Sequence, residues 1–112
     1  MPIKMRRRYL ALKIDSTEAF EARDLLDTLW SAILRLYGEY GASKIGLKLI
    51  DCDVEKRLAV IRTAHTEVEK LRAAIASITE IMGKPAAVHV LMVSGTLKAL
   101  SRKFSQSINS AF

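Results

Sequence analysis

The side chains able to do covalent or metal chemistry are few and scattered. The chain has two histidines, His65 and His89, and one cysteine, Cys52. Their positions make no metal-ligand spacing, and each reads as structural. Asp51, Asp53 and Glu55 crowd one turn. A hard cation can use such a cluster, but a solvated hairpin loop accounts for it more simply. No G-x-S-x-G, H-E-x-x-H or P-loop is present. The sequence therefore assigns no catalytic residue and no metal ligand.

What remains is the binding of anions. The chain carries 18 Lys and Arg against 12 Asp and Glu, a net charge of +6, and the excess is segregated. Every acid lies between Asp15 and Glu80. Lys4, Arg6, Arg7, Arg8 and Lys13 occupy the start with no acid among them, and Lys84, Lys98, Arg102 and Lys103 occupy the end in the same way. Solubility alone does not require that separation. If the ends meet, they form one positive region that attracts polyanions over a Debye length of about 8 Å. The segment VSGTLKALSRK (93–103) suits phosphate. Gly95 permits close backbone approach, Ser94 and Thr96 carry hydroxyls that equally suit helix capping, and Lys98, Arg102 and Lys103 fall in the first two turns of a basic helix.

The elements that must position these residues follow from periodicity. At 112 residues, half of them apolar, one domain with its own core is expected. Residues 6–14 alternate, with Leu10, Leu12 and Ile14 on one face and Arg7, Tyr9, Ala11 and Lys13 on the other, which predicts a half-buried strand. DSTEAF then offers caps, and Phe20, Leu25, Leu26, Leu29, Trp30, Ile33, Leu34 and Tyr37 recur at helical spacing up to Gly38 and Gly41. Residues 43–51 alternate again and 57–63 form a third strand, joined to the second as a hairpin. Both parities of the third strand carry apolar residues, so its buried face is undecided. Thr66 and Glu69 have capping-box spacing for a second helix, which Gly83 and Pro85 end. Residues 86–93 are an almost wholly apolar fourth strand. A basic helix with Leu97, Leu100 and Phe104 on one side follows, and residues 105–112 read as a frayed tail.

The order β-α-β-β-α-β predicts an α+β, ferredoxin-like sandwich over residues 1–104, a four-stranded antiparallel sheet with an extra C-terminal helix. Two helices cover one face. The other face is expected to show Arg7, Tyr9, Ala11, Lys13, Gly46, Lys48, Leu91 and Val93, partly covered by the C-terminal helix. In this topology the first and fourth strands are antiparallel neighbours. Ser94, Gly95, Thr96 and Lys98 then lie beside Arg6, Arg7 and Arg8, and the two basic ends converge. Small phosphatases of this topology need an anion-binding loop after the first strand; here that segment is acidic and lacks glycine. RNA-recognition domains of this topology stack bases on sheet aromatics, and only Tyr9 is available for that. Phosphate binding is the mode the residues support.

RRRYLAL at 6–12, LYGEYGAS at 36–43, IRTAH at 61–65, LRAAIASI at 71–78 and VSGTLKAL at 93–100 occur in one order and spacing. In these pieces the chain resembles protein component 2 of archaeal ribonuclease P, a family related to a eukaryotic subunit of ribonuclease P and MRP. The resemblance implies a non-catalytic subunit of the ribonucleoprotein that removes the 5′ leader of precursor tRNA. It implies that the RNA subunit and its Mg2+ ions perform the hydrolysis. It also implies ribonuclease P RNA, precursor tRNA and ribonuclease P protein component 3 as partners, with nothing carried over after Phe104. Arg6, Arg7, Arg8, Tyr9, Lys13, Lys48, Ser94, Gly95, Thr96, Lys98, Arg102 and Lys103 are the RNA-binding candidates on the residues' own evidence.

A ferredoxin-like homodimer that binds a small ligand, or serves as an interaction module, is the alternative, and the charge segregation counts against it. Self-association of the isolated chain stays open. No apolar run approaches the roughly 18 residues of a membrane span, and the basic start is followed by alternation rather than by a signal-peptide core. A lone cysteine points to a reducing compartment. The expectation is a cytoplasmic protein with no cofactor of its own.

Overall fold

Leu10, Leu12 and Ile14 decide how the first strand sits. The structure, a computed structural model, describes residues 6–98 and Leu100. All three side chains are fully buried, at about 1.5–3 kcal/mol each. A slip of one residue would exchange them for Tyr9 and Lys13, so the register of β1 (Arg7–Ser16) is firmly set. After it come α1 (Ala22–Ile45), β2 (Lys48–Asp53), β3 (Leu58–Ala64), a 3₁₀ turn (His65–Glu67), α2 (Val68–Ala76), β4 (Glu80–Ile81) and β5 (Lys84–Ser94). The sheet runs β2-β3-β1-β5-β4, and every neighbouring pair is antiparallel.

This is an α+β fold of two helices and a five-stranded antiparallel sheet. Its element order is compatible with the ferredoxin-like expectation, but the sheet has five strands where four were expected. The extra strand exists because α2 stops at Ala76, well short of Gly83. A tight turn at Met82 and Gly83, both with positive φ, folds Glu80 and Ile81 back onto Pro85 and Lys84. Two residues are too few to show any alternation in sequence.

The helices bury one face of the sheet. Leu25, Leu29 and Ile33 of α1 and Leu71 and Ile75 of α2 share a core with Leu10, Leu12, Ile14, Ile61 and Val88. α1 begins after Glu21, whose N–H donates to the Asp24 carboxylate at 3.0 Å. Phe20, just outside the helix, and Leu25, one turn in, join the same core, in the manner of a hydrophobic staple. The expected stop at Gly38 is a kink instead. Gly38 has φ 71° and ψ −178°, and helix resumes beyond it to Ile45, capped by Gly46. Residues 43–45, expected in the second strand, therefore belong to α1. α2 likewise starts later than the Thr66 capping box predicts: its N-cap is Glu67, without a side-chain cap bond.

Bulges reassign the other face. Ile50 interrupts the pairing of β2 with β3, and Leu91 that of β5 with β1. Each extra residue switches the side on which its successors point. Val93, expected on the open face, pairs with Leu10 and packs with the helical core, while Met92 takes the open face. Ala11, Val60 and Leu100 make a second buried cluster there, flanked by Tyr9, Ile50 and Met92. β3 is thus buried on both sides, which explains its doubly apolar parity. Leu97, Lys98 and Leu100 are helical, and Leu100 is fully buried against the open face, as a covering C-terminal helix requires. Phe104 and the tail 105–112 lie outside the described residues. Among the described residues no helix is long and apolar enough to cross a membrane.

Candidate nucleic-acid interface

Registration across the sheet builds the first part of the site. Lys48 pairs with Arg62, Arg62 with Tyr9, and Tyr9 with Ser94. Directly opposed residues share a face. Tyr9 packs in the open-face cluster, so Lys48, Arg62, Tyr9 and Ser94 form one row across that face. With strands about 4.8 Å apart the row is about 14 Å long.

Arg6 and Arg7 open the second part, a cleft of about 630 Å³ beyond the same strand ends. Arg62, Lys44 and His65 also line it, and Glu67 is the one carboxylate among its lining residues. Lys70 holds that carboxylate at 3.4 Å. The cleft is fixed by hydrogen bonds at the end of α1. The Gly46 N–H donates to the Ala42 carbonyl at 3.2 Å, and the buried Thr63 hydroxyl donates to the Ile45 carbonyl at 2.6 Å. These bonds satisfy carbonyls that a helix end leaves unpaired, and they hold Lys44 against the end of β3. The His65 N–H donates to the Arg6 carbonyl at 3.0 Å, and His65 Nδ1 lies 3.3 Å from the same oxygen.

Arg8 joins the two basic termini. Its Nη1 would lie 3.4 Å from a Cβ built on Gly95, so the guanidinium rests over the one residue in the turn without a side chain. The same nitrogen donates to the Arg7 carbonyl at 3.2 Å. Ser94 uses its hydroxyl locally, donating to the Thr96 carbonyl at 3.0 Å and accepting from the Thr96 N–H at 3.3 Å. That bonding stabilises the turn ahead of the Leu97 helix. Lys98 is exposed in that helical turn.

The structure therefore brings Arg6 and Arg7 to one cleft, Arg8 to Gly95, and Tyr9, Lys48 and Ser94 to one row. Lys13 sits apart, opposite Leu58 and His89, about 13 Å along β1 from Tyr9. Arg102 and Lys103 lie outside the described residues. Two cations of the site escaped the sequence reading. Arg62 lies in the strand whose buried face was undecided, and Lys44 belongs to a helical turn expected as strand.

The acidic hairpin has another task. Asp51 accepts from the Cys52 N–H at 2.8 Å and Asp53 from the Lys56 N–H at 3.1 Å, which shapes the turn. Burial, and then Asp51 and Asp53, push the Cys52 thiol above its ordinary value. Among the described residues no group of three His, Cys, Asp or Glu is placed to hold a metal ion.

The comparisons with known proteins agree with the resemblance. The family model described as Rpp14/Pop5 family matches residues 8–105. Ribonuclease P protein component 2 of Methanosarcina barkeri is 36% identical over 110 residues, covering 98% of this chain and 78% of that protein. The Pyrococcus furiosus protein of the same name is 33% identical over 102 residues, covering 91% and 85%. A chain in the cryo-EM structure of yeast ribonuclease MRP has a similar fold, with TM-score 0.65 and 21% identity, covering 98% of this chain and 99% of that one. The matched region takes in β1 from Arg8 onward and the turn at Gly95 that packs beneath Arg8, and the chain belongs to the Rpp14/Pop5 family.

Proposed function

We propose that this chain is a non-catalytic, RNA-binding subunit of ribonuclease P. It grips phosphates of the catalytic RNA and supports removal of the 5′ leader from precursor tRNA. The observation that carries this reading is the row Lys48, Arg62, Tyr9 and Ser94, set beside the cleft of Arg6, Arg7 and Lys44. Two cations and a phenol spaced across about 10 Å suit successive phosphates and a sugar edge, and such contacts position RNA without reading its sequence. One aromatic on the face among the described residues is too little for base stacking to dominate.

On this reading the RNA holds the Mg2+ and supplies the hydrolytic chemistry, and the chain's own residues lower the repulsion between crowded phosphates. The components are cytoplasmic, and ribonuclease P protein component 3 is the protein partner. The family membership and the relatives' names support this reading over the small-ligand alternative.

The test is reconstitution. Precursor-tRNA cleavage by the catalytic RNA with component 3 is measured with and without this chain across a magnesium titration. The chain is expected to lower the magnesium needed for half-maximal cleavage, and Arg7→Ala with Arg62→Ala to reverse most of that shift. An unchanged magnesium requirement would overturn the reading.

A further inference from the structure

Phosphate binding explains every charge in the cleft except Glu67. Arg6, Arg7, Lys44 and Arg62 line the same space of about 630 Å³, and a polyanion drawn there by these cations meets one carboxylate on the wall. The Glu67 side chain is only 12% exposed. It is the N-cap residue of α2 but makes no side-chain cap bond to that helix. Its Oε2 is buried without a hydrogen bond. The Lys70 ammonium, 3.4 Å away, is itself half-exposed, and an ion pair of that kind is worth little. A carboxylate withdrawn from water this far is costly until donors meet it.

Whatever meets Glu67 must also suit the cations around it. A metal ion or a basic side chain would sit among Arg6, Arg7, Lys44 and Arg62 and be repelled by them. A bare phosphate satisfies those cations and is repelled by Glu67. A neutral donor edge with a negative charge attached to it answers both demands, and a nucleotide has that form. Among the four bases of RNA, guanine alone places two adjacent donors, N1–H and N2–H, on its pairing edge. A carboxylate accepts such a pair side by side, as it accepts a guanidinium. Adenine and cytosine set an acceptor beside their donor, and uracil sets one on each side of its N3–H; those acceptors would face a carboxylate oxygen. The volume is that of an ordinary small-molecule site, about 300–1,000 Å³. His65 adds an exposed aromatic ring to the lining, and the 3.3 Å contact of its Nδ1 with the Arg6 carbonyl restrains that ring as a flat partner for a base.

We propose that the cleft holds one unpaired guanosine of RNA, with its pairing edge on Glu67 and its flanking phosphates on Arg6, Arg7, Lys44 and Arg62. The proposal rests on the RNA-binding reading and deepens it: the row across the sheet positions RNA of any sequence, and the cleft selects a base. The guanosine must be unpaired, because in a duplex its N1–H and N2–H are already given to cytosine. The last torsion of a glutamate side chain is soft, so the carboxylate turns from Lys70 to present both oxygens at small cost. Glu67 then exchanges a weak ion pair for two charge-assisted hydrogen bonds.

The full chain is titrated with fluorescein-labelled RNA heptamers of uridine that carry guanosine, inosine, adenosine or a further uridine at the centre. Anisotropy is read at several salt concentrations, and ribonuclease P RNA is titrated in parallel. The guanosine heptamer should bind about tenfold more tightly than the adenosine and uridine ones. Inosine keeps N1–H but lacks the N2 amino group and should fall between them. Glu67→Ala should bring the guanosine and adenosine affinities to within about twofold of each other. It should also raise the affinity for the all-uridine heptamer, since a negative charge leaves the cleft. Salt-dependent binding of ribonuclease P RNA without a guanosine preference among the heptamers overturns this proposal alone. A preference that inosine shares in full, or that Glu67→Ala leaves intact, also overturns it. If neither the heptamers nor ribonuclease P RNA bind in a salt-dependent way, the RNA-binding reading falls and this proposal falls with it.

Discussion

Tyr9 and Arg62 lie directly opposite each other at the centre of the sheet, on β1 and β3. The pair joins two features that are separate in sequence. Tyr9 roots the row in the apolar cluster of Ala11, Val60 and Leu100, while Arg62 supplies one of its cations and is also among the residues that line the cleft with Arg6 and Arg7. A guanidinium carries five donors in a fixed plane, enough to meet more than one phosphate oxygen.

Replacing Arg62 should therefore weaken RNA binding more than replacing Lys13, which sits about 13 Å along β1. Each phosphate no longer neutralised should reduce the slope of log affinity against log salt by roughly 0.7–0.9. Filter binding of ribonuclease P RNA at several potassium concentrations reads this. Arg62→Ala should flatten the slope by the equivalent of one or two phosphates, and Lys13→Ala by less than one.

Gly38 tests the kink in α1. Its φ of 71° and ψ of −178° lie in a region that only glycine occupies readily, although nothing lies within 4 Å of a Cβ placed there. The cost of Gly38→Ala is thus conformational, about 1–3 kcal/mol. Urea unfolding should show a lower midpoint with an unchanged slope. If the variant straightens the helix instead, Lys44 leaves the cleft and RNA affinity falls with stability.

The sequence made the backbone plan legible and left the edges of the plan obscure. β1 could be read because Leu10, Leu12 and Ile14 alternate without interruption. β5 could be placed but not oriented, since a bulge at Leu91 has no signature in an apolar run and moves Val93 to the other side. Gly38 looked like a helix stop because a break and a kink begin with the same residue, and only the packing of Ala42 and Ile45 into the core decides for a kink. Arg62 was invisible for a related reason: a strand buried on both faces carries no alternation to say which way its one arginine points. The convergence of Arg8 on Gly95, by contrast, followed from strand order alone.

Cys52 should be a slow nucleophile. Partial burial, followed by the neighbouring Asp51 and Asp53, raises its pKa by disfavouring the thiolate. Only the thiolate attacks, so alkylation by iodoacetamide should be slower than that of a free cysteine at pH 7 and should climb about tenfold per pH unit well past pH 8. Asp51→Asn with Asp53→Asn should move the profile to lower pH, though less than full exposure of the thiol would, because burial is the larger cause. Mass spectrometry of the labelled chain against time at each pH gives the rates.

Thr63 is the buried residue whose loss should reach the RNA site without touching it. Its hydroxyl is 2.6 Å from the Ile45 carbonyl, at the end of α1, and the side chain is 1% exposed. Thr63→Val keeps the shape and leaves that carbonyl unpaired in an apolar setting, at a cost of about 1–3 kcal/mol. Thr63→Ser keeps the hydroxyl and should restore most of the pairing at a smaller packing loss. Because the bond also holds Lys44 against the end of β3, Thr63→Val should weaken RNA binding under conditions where the chain is fully folded, and Thr63→Ser should not. Equal affinities for the two variants, with a Thr63→Val midpoint in urea clearly below that of Thr63→Ser, would show that the bond supports the fold alone and that the cleft is held by other means.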